Sequence, residues 1–430
     1  MSAGRFLFFV VFLVVWTGLH LLVAHRQIGH GRAYGASLRR MIWVGAVLLA
    51  VLPMFAVFGS RVGLGGSSLR AVQWVGFLSM GLSSLLITLT LIVEVPRLLA
   101  RGGLALRKRF WLGAGAVRAG DQSESESESE SESESDSTRS GGDGDGGALA
   151  LASRRRFFAD IVNYGIVGGA TGLSAVGFGL ARRVPQVVEV DVPVPGLHED
   201  LVGLRIVQIS DVHVGPTIRG TWLDKVVAVV NGLEPDLVAL TGDFVDGFVA
   251  ELGPELSSLA KLEARHGAFF VTGNHEYYWD GPAWCEAVAE LGPRVLINSH
   301  EVLSHGRAKL VVAGVTDLHA DRNVPAHLSD PAAAIDGAPK SDFCLLLAHQ
   351  PRSIFAAEAV GGFDLQLSGH THAGQYFPMS LMIHMLQPYV KGLSRHRDMQ
   401  IYVNPGTGYW GPPNRAGSPS EITLLTLVRA

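Results

Sequence analysis

Five times in the second half of this chain a short apolar run stops in a loop made of Asp, Asn or His. The loops are Ser210-Asp211-Val212-His213, Thr241-Gly242-Asp243, Gly273-Asn274-His275-Glu276, Ala348-His349 and Gly369-His370-Thr371-His372. Short apolar runs bounded by turn residues read as buried strands. One polar loop after such a strand is ordinary, because loops need polar residues for backbone reasons. Five of them, each carrying an oxygen or imidazole donor, constrain the fold much more tightly. Strands of one sheet bring their carboxyl ends to one edge, so donors remote in sequence converge there. Asp, His and Asn without Cys suit Mn, Fe or Zn, whereas carboxylates and amides without His would suit Mg or Ca. The Asp-x-His and His-x-His spacings each place two donors on one side of an extended loop. There are more donors than one cation needs, which favours two divalent metal ions sharing a bridging carboxylate.

The surrounding pattern predicts an α/β domain over residues 185–430. Strands are expected at 187–194, 205–210, 237–240, 268–272, 295–298, 309–315, 343–348, 364–368, 401–404 and 421–428. Helices are expected near 222–231, 256–263 and 354–360, with another opened by Pro282. That alternation argues for helices covering sheet faces, in a domain long enough for one large core.

The first part of the chain is different. Mean hydropathy is +0.27, and 48% of residues are hydrophobic against 17% charged, which is high for a protein wholly in water. Apolar segments at 6–24, 41–58 and 71–93 are of spanning or nearly spanning length, giving a three-span region over residues 1–97. A cleaved signal competes for the first, but no small-x-small site follows it before His25 and Arg26. A buried core helix competes for the second, which is short and carries Pro53. Residues 98–152 read as a linker, basic at Arg107-Lys108-Arg109, then an alternating Ser-Glu tract from Ser123 to Ser135, then Gly and Asp near Asp143 and Asp145. Dense like charge without apolar residues leaves nothing to offset the entropy of ordering. Residues 153–183 open with Arg154-Arg155-Arg156-Phe157 and continue as a Gly-rich apolar segment. Two readings compete: a fourth span whose Gly165, Gly168, Gly169 and Gly172 allow close helix packing, and a segment that resembles a twin-arginine export signal. Its position behind three other apolar segments favours the span. Arg26, Arg32, Arg39 and Arg40 crowd the first connection and Arg97 to Arg156 the third, against Arg61 and Arg70 in the second. The expectation is therefore a multi-pass protein of the cell (inner) membrane with its soluble domain outside the cytoplasm. A net charge of −4 and no basic stripe near the motifs give no case for nucleic acid. Cys285 and Cys344 read as two buried thiols.

Taken together, Asp211-x-His213, Gly242-Asp243, Gly273-Asn274-His275-Glu276, His349 and Gly369-His370-Thr371-His372 resemble the motif series of the calcineurin-like metallophosphoesterase superfamily. The likeness runs from about Leu204 to the end of the chain. Ser210 to His213, Gly369 to Gln375 and Asn404-Pro405-Gly406 look most like its membrane-associated bacterial members. The resemblance implies a β-sandwich flanked by helices (α/β/β/α) behind the transmembrane region. It further implies that Asp211, His213 and His372 hold one metal, that Asn274, His349 and His370 hold the other, and that Asp243 bridges them. His275 is left free to act on the substrate as a catalytic residue. Two cations lower the pKa of a shared water for in-line attack on phosphorus and neutralise phosphoryl oxygens. The expected partners are the membrane and a small-molecule or lipid-linked phosphate ester. The competing function is a membrane-bound sensory or interaction module with a structural metal. Asp246 and Glu276 read either as supports for the ligands or as solvent-facing acids. His319, beside Asp317 and Asp321, lacks a partner motif and reads as exposed. The aromatic group Tyr277, Tyr278, Trp279 and Trp284 reads as rim packing, and the apolar run 379–385 as core or a membrane-facing lip.

Overall fold

A computed structural model describes residues 3–29, 34–58, 66–119 and 144–430. The Ser-Glu tract and Asp143, together with His30, Arg32 and Arg61, lie outside the described residues. The chain divides into two compact units, one of Met1–Val51 with Leu82–Thr171, the other of Leu52–Gly81 with Gly172–Ala430.

Four long helices open the chain: α1 (Ala3–Gly29), α2 (Ala36–Phe58), α3 (Gly66–Ala119) and α4 (Gly144–Ala181). Each holds a stretch long and apolar enough to cross a membrane, Val10–Gly29, Ala36–Val57, Ser68–Leu104 and Ser153–Ala181. Helix extends into both flanks of the range read as linker. Leu98, Leu99, Ala100, Leu104, Ala105 and Leu106 are strong helix formers, and continuing α3 needs no new nucleus. In the first unit Arg26 is not an interfacial basic flank. It is buried and ion-paired with Glu94 of α3, which Arg97 also reaches at 3.1 Å. A guanidinium in an apolar bundle survives only when a carboxylate faces it. Of the four glycines expected to pack closely, Gly169 does so, with an added Cβ 3.4 Å from Leu89, while Gly165, Gly168 and Gly172 face open space. Further along α4, in the second unit, Gly177 is crowded: a Cβ there would strike the side chain of Asn414.

The second unit carries two six-stranded sheets. The strands are β1 (Gln186–Val194), β2 (Arg205–Ile209), β3 (Leu237–Leu240), β4 (Ala268–Phe270), β5 (Arg294–Val295), β6 (Ser299–His305), β7 (Ala308–Gly314), β8 (Phe343–Leu347), β9 (Leu365–Ser368), β10 (Gly392–His396), β11 (Met399–Val403) and β12 (Glu421–Arg429). The first sheet runs β1-β12-β2-β3-β4-β5 and the second β10-β11-β9-β8-β7-β6. Alternation along each strand builds the layers. In β3, Leu237 and Ala239 face the layer between the sheets, while Val238 and Leu240 join the outer core with Val226 and Leu223. In β8, Phe343, Leu345 and Leu347 face the same inner layer, and Cys344 and Leu346 pack outward against Ile354 and Ala357. The result is the helix-flanked sandwich that the resemblance implied. Strands β6 and β10 were not expected. Ser299–His305 and Gly392–His396 are polar edge strands, each paired on one side, so no apolar pattern marks them. Cys285 and Cys344 are buried, which pushes each thiol up to about 12.

Candidate metal centre

The five loops do meet, at the carboxyl ends of strands from two sheets and not one. Strands β2, β3 and β4 of the first sheet deliver Asp211, His213, Asp243, Asn274 and His275; β8 and β9 of the second deliver His349, His370 and His372. Asp211, His213, Asp243, His370 and His372 all sit at positive φ, between 49° and 69°. Such backbone costs on the order of 1 kcal/mol per non-glycine residue and persists where the surroundings fix it. Gly273 allows the close approach: a Cβ there would lie 2.2 Å from Asp243 Oδ1.

Among the described residues ligand atoms gather in three overlapping groups, of which two share no member: Asp211 with His213 and His372, and Asp243 with His349 and His370. In the first, His213 Nε2 lies 3.1 Å from His372 Nε2, which is 3.2 Å from Asp211 Oδ1. In the second, His349 Nε2 lies 3.2 Å from Asp243 Oδ2 and 3.3 Å from His370 Nδ1. Asp243 Oδ2 is also 3.9 Å from His213 Nε2, so one oxygen stands between the groups. His349 donates from Nδ1 to the Thr241 carbonyl at 2.8 Å, which directs Nε2 into the centre. Asn274 Oδ1 is buried without a hydrogen-bond partner. Converging lone pairs and an orphaned amide oxygen suit cations, so the residues present fit the metals that the motifs imply.

The electrostatics agree. Burial alone would raise Asp211 and Asp243, but the facing imidazoles, His372 for Asp211 and His349 for Asp243, outweigh it and hold both below the usual carboxylate range. Burial lowers His370 and His372 to about 4, keeping both neutral as ligation requires. His349 is also opposed by burial, yet Asp243 and Asp211 draw it well above its ordinary value. That is a centre with excess negative charge. For His275, burial again pulls down, and Asp243 and Asp246 carry it up to about 9.

Both uncertain acids are supports. Asp246 Oδ1 accepts from His275 Nδ1 at 2.5 Å, and its Oδ2 lies 3.2 Å from His213 Nδ1. One carboxylate therefore holds His275 by a hydrogen bond and lies beside His213. His275 Nε2 is left facing inward, 4.0 Å from Asp243 Oδ2, and a third overlapping group joins it with His213 and Asp243. Glu276 is 1% exposed, and its carboxylate accepts three backbone N–H groups: Gly273 at 2.6 Å, Asp243 at 3.0 Å and Phe244 at 2.7 Å. Burial and Asp243 push it up to about 6. Its position three residues into the helix Asn274–Tyr278, after Gly273 at the N-cap, is the local signal for such a clamp.

Sequence reasoning missed Arg415 and Trp410. Arg415 is fully buried and donates to the Pro405 carbonyl at 2.8 Å and the His372 carbonyl at 3.2 Å, with Nη2 3.1 Å from His372 Nδ1. The Trp410 ring lies 5.8 Å from that of His275, and Tyr278 lies 5.1 Å away on the same imidazole. Of the expected aromatic rim, Tyr277 and Trp284 are buried while Tyr278 is exposed. His319 belongs to none of the ligand groups and lines a neighbouring cavity of about 320 Å³. The run at 379–385 is not core: it forms the helix Met379–Leu386, in which Ile383 is buried and Leu381 and Met385 are exposed.

Residues 204–374 match the family model for calcineurin-like phosphoesterases. The chain is 40% identical over 265 residues to a transmembrane protein with metallophosphoesterase domain from Danio rerio, covering 60% of this chain and 61% of that protein. It is 37% identical over 279 residues to an uncharacterized metallophosphoesterase of Helicobacter pylori, covering 64% of this chain and 73% of the relative. A second uncharacterized metallophosphoesterase, from Aquifex aeolicus, is 32% identical over 52% of this chain and 85% of its own length. The match thus spans about three fifths of the length of the vertebrate relative. Motifs, two-sheet sandwich, paired ligand groups and relatives agree: the chain belongs to the calcineurin-like metallophosphoesterases.

Proposed function

We propose that this metallophosphoesterase uses two divalent ions, Mn, Fe or Zn, to hydrolyse a phosphodiester, pyrophosphate or phosphomonoester of the cell envelope while anchored in the membrane. Asp211, His213 and His372 hold one ion, Asn274, His349 and His370 the other, and Asp243 lies between them. When bound, the pair activates water and neutralises the phosphoryl oxygens. The chain does the rest. Asp246 holds the His275 imidazole by Nδ1, so that Nε2 can give a hydrogen bond to a phosphoryl oxygen or a proton to the departing alkoxide. The observation that carries this reading is that Asp246 takes His275 Nδ1 while Nε2 stays 4.0 Å from Asp243 Oδ2, at the edge of the donor groups. A structural metal site has no use for such a histidine.

The test uses the full chain in detergent with Mn and two substrates, bis-p-nitrophenyl phosphate and p-nitrophenyl phosphate. Hydrolysis of neither overturns the reading, and the ratio of rates distinguishes diesterase from monoesterase. Within it, Asn274→Ala is expected to lower metal content, while His275→Ala keeps both ions and slows turnover by roughly 10²–10⁴-fold. Metal analysis beside kcat separates the two, and an emptied centre in His275→Ala would reverse the roles. The positive-charge count of the sequence supports a soluble domain outside the cytoplasm. A reporter fused after Ala430 that matures only outside should be active; a silent fusion, with a cytoplasmic reporter working in its place, removes one span from the count.

A further inference from the structure

In the second unit, the loop 409–415 joins the metal centre to the apolar helices. Arg415 donates its backbone N–H to the Gly177 carbonyl of α4 at 3.0 Å, and Asn414 closes on the same glycine. A Cβ added to Gly81 of α3 would lie 3.3 Å from Pro412, and one added to Gly411 would lie 3.9 Å from the Phe77 ring. Phe77, Gly81 and Gly177 all belong to the stretches apolar enough to cross a membrane. Between these contacts the loop presents Trp410 to His275, and Gln375 fixes it with hydrogen bonds to Trp410 N, Trp410 O and Pro412 O at 2.9, 3.0 and 3.0 Å. Gln375 follows the His-x-His motif and leads into the helix Met379–Leu386. That helix exposes Leu381 (66%) and Met385 (77%) beside Met382 and Leu386. A short helix with one apolar face bare, in a unit that includes the ends of three of the membrane-length helices, is suited to the lipid interface.

The C-terminal end of this helix borders the cavity of about 320 Å³, whose lining includes Asn274 and His370 from the centre, Arg322, Arg352, Asp317 and Leu386. Arg352 donates to the Leu386 carbonyl at 2.9 Å, tying the cationic wall to the apolar helix. The acid there is already engaged, since Asp317 accepts from Gln350 Nε2 at 2.8 Å and from the His319 N–H at 2.9 Å. Two guanidinium groups beside metal-facing residues fit a second anionic group next to a scissile phosphate.

We propose that the centre works at the bilayer surface on an anionic amphiphile: the Met379–Leu386 helix enters the lipid beside it, and the Arg322 and Arg352 cavity holds a second anionic group of the head group. The chemistry rests on the phosphoesterase reading above. Water adds across one P–O bond, its oxygen going to phosphorus and a proton to the leaving oxygen. The docking does not rest on that reading and is tested apart from turnover. In the full chain, reconstituted in dioleoylphosphatidylcholine vesicles, Met385→Cys is labelled with an environment-sensitive dye, Cys285 and Cys344 being buried. Blue-shifted emission, quenched by lipids carrying a nitroxide on the acyl chain, is expected, while a Val302→Cys label on β6, the opposite edge of its sheet from β10, stays unquenched. Equal, water-like emission from both overturns the docking. For the cavity, wild type is expected to prefer diacylglycerol pyrophosphate over phosphatidic acid in kcat/KM. The Arg322→Gln, Arg352→Gln double variant is expected to reduce that preference about tenfold or more. No preference, or one that survives the double variant, overturns the cavity's role. If wild type with Mn hydrolyses neither lipid nor either aryl phosphate, the phosphoesterase reading is what fails, and the label alone decides the docking.

Discussion

Asp243→Asn is expected to remove nearly all turnover from a chain that still folds. One carboxylate oxygen accepts the backbone N–H of His275 at 2.8 Å; the other lies 3.2 Å from His349 Nε2 and 3.9 Å from His213 Nε2. The amide is nearly isosteric, so packing is kept. It removes the charge, and either the His275 bond or the inward oxygen is replaced by an N–H pair that no cation accepts. Loss of one stabilising donor from a preorganised centre costs roughly 10²–10³-fold, and a group serving both ligand sets should cost at least about 10³-fold. Initial rates on bis-p-nitrophenyl phosphate with metal content measured in parallel are the check. A variant keeping a large share of wild-type kcat with both ions bound would show that the oxygen between the groups is not shared.

The largest effect on stability is expected from Glu276→Ala. The carboxylate joins two loops from adjacent strands by accepting from Gly273, Asp243 and Phe244. Alanine leaves three buried N–H groups without their acceptor, at about 1–3 kcal/mol each. A loss of about 3–5 kcal/mol follows, seen as a fall in Tm of roughly 10 °C in thermal unfolding of the metal-free protein. Glu276→Gln keeps an acceptor oxygen and should fall between the two. A Tm for Glu276→Ala within experimental error of wild type would mean that water takes over the clamp.

The residues that could hold a metal were legible because their chemistry is written in loops a few residues long. Asp211 with His213 and His370 with His372 announce themselves by type and spacing. Glu276 and Asp246 were half legible: their acidity was visible, but whether an acid faces solvent or three N–H groups depends on loops brought together by folding. Arg415 and Trp410 had no readable partner, since they reach His372 and His275 only across the tertiary fold. The division into two sheets escaped the pattern for a different reason. A run such as Phe343 to Leu347 is apolar on both faces whichever sheet it joins, and polar edges such as Ser299–His305 carry no alternation to read.

The order of strands in the first sheet has a consequence for how the protein comes into being. Strand β12 lies between β1 and β2, pairing Gln186 with Glu421 on one side and Gln208 with Thr423 on the other. It also sets the loop before Asp211, because Thr407 Oγ1 donates to the Glu421 carbonyl and accepts from the Ser210 N–H. During synthesis β1 and β2 therefore wait, edges open, for a strand that emerges roughly ten to forty seconds later at ordinary translation rates. Unpaired edges are prone to aggregate, so a holding factor has a use in that interval. Until β12 arrives, the Asp211 loop lacks the Thr407 link from Ser210 to Glu421. A metal held by this centre is therefore expected to bind late, and the supply where folding finishes is expected to decide which ion it is.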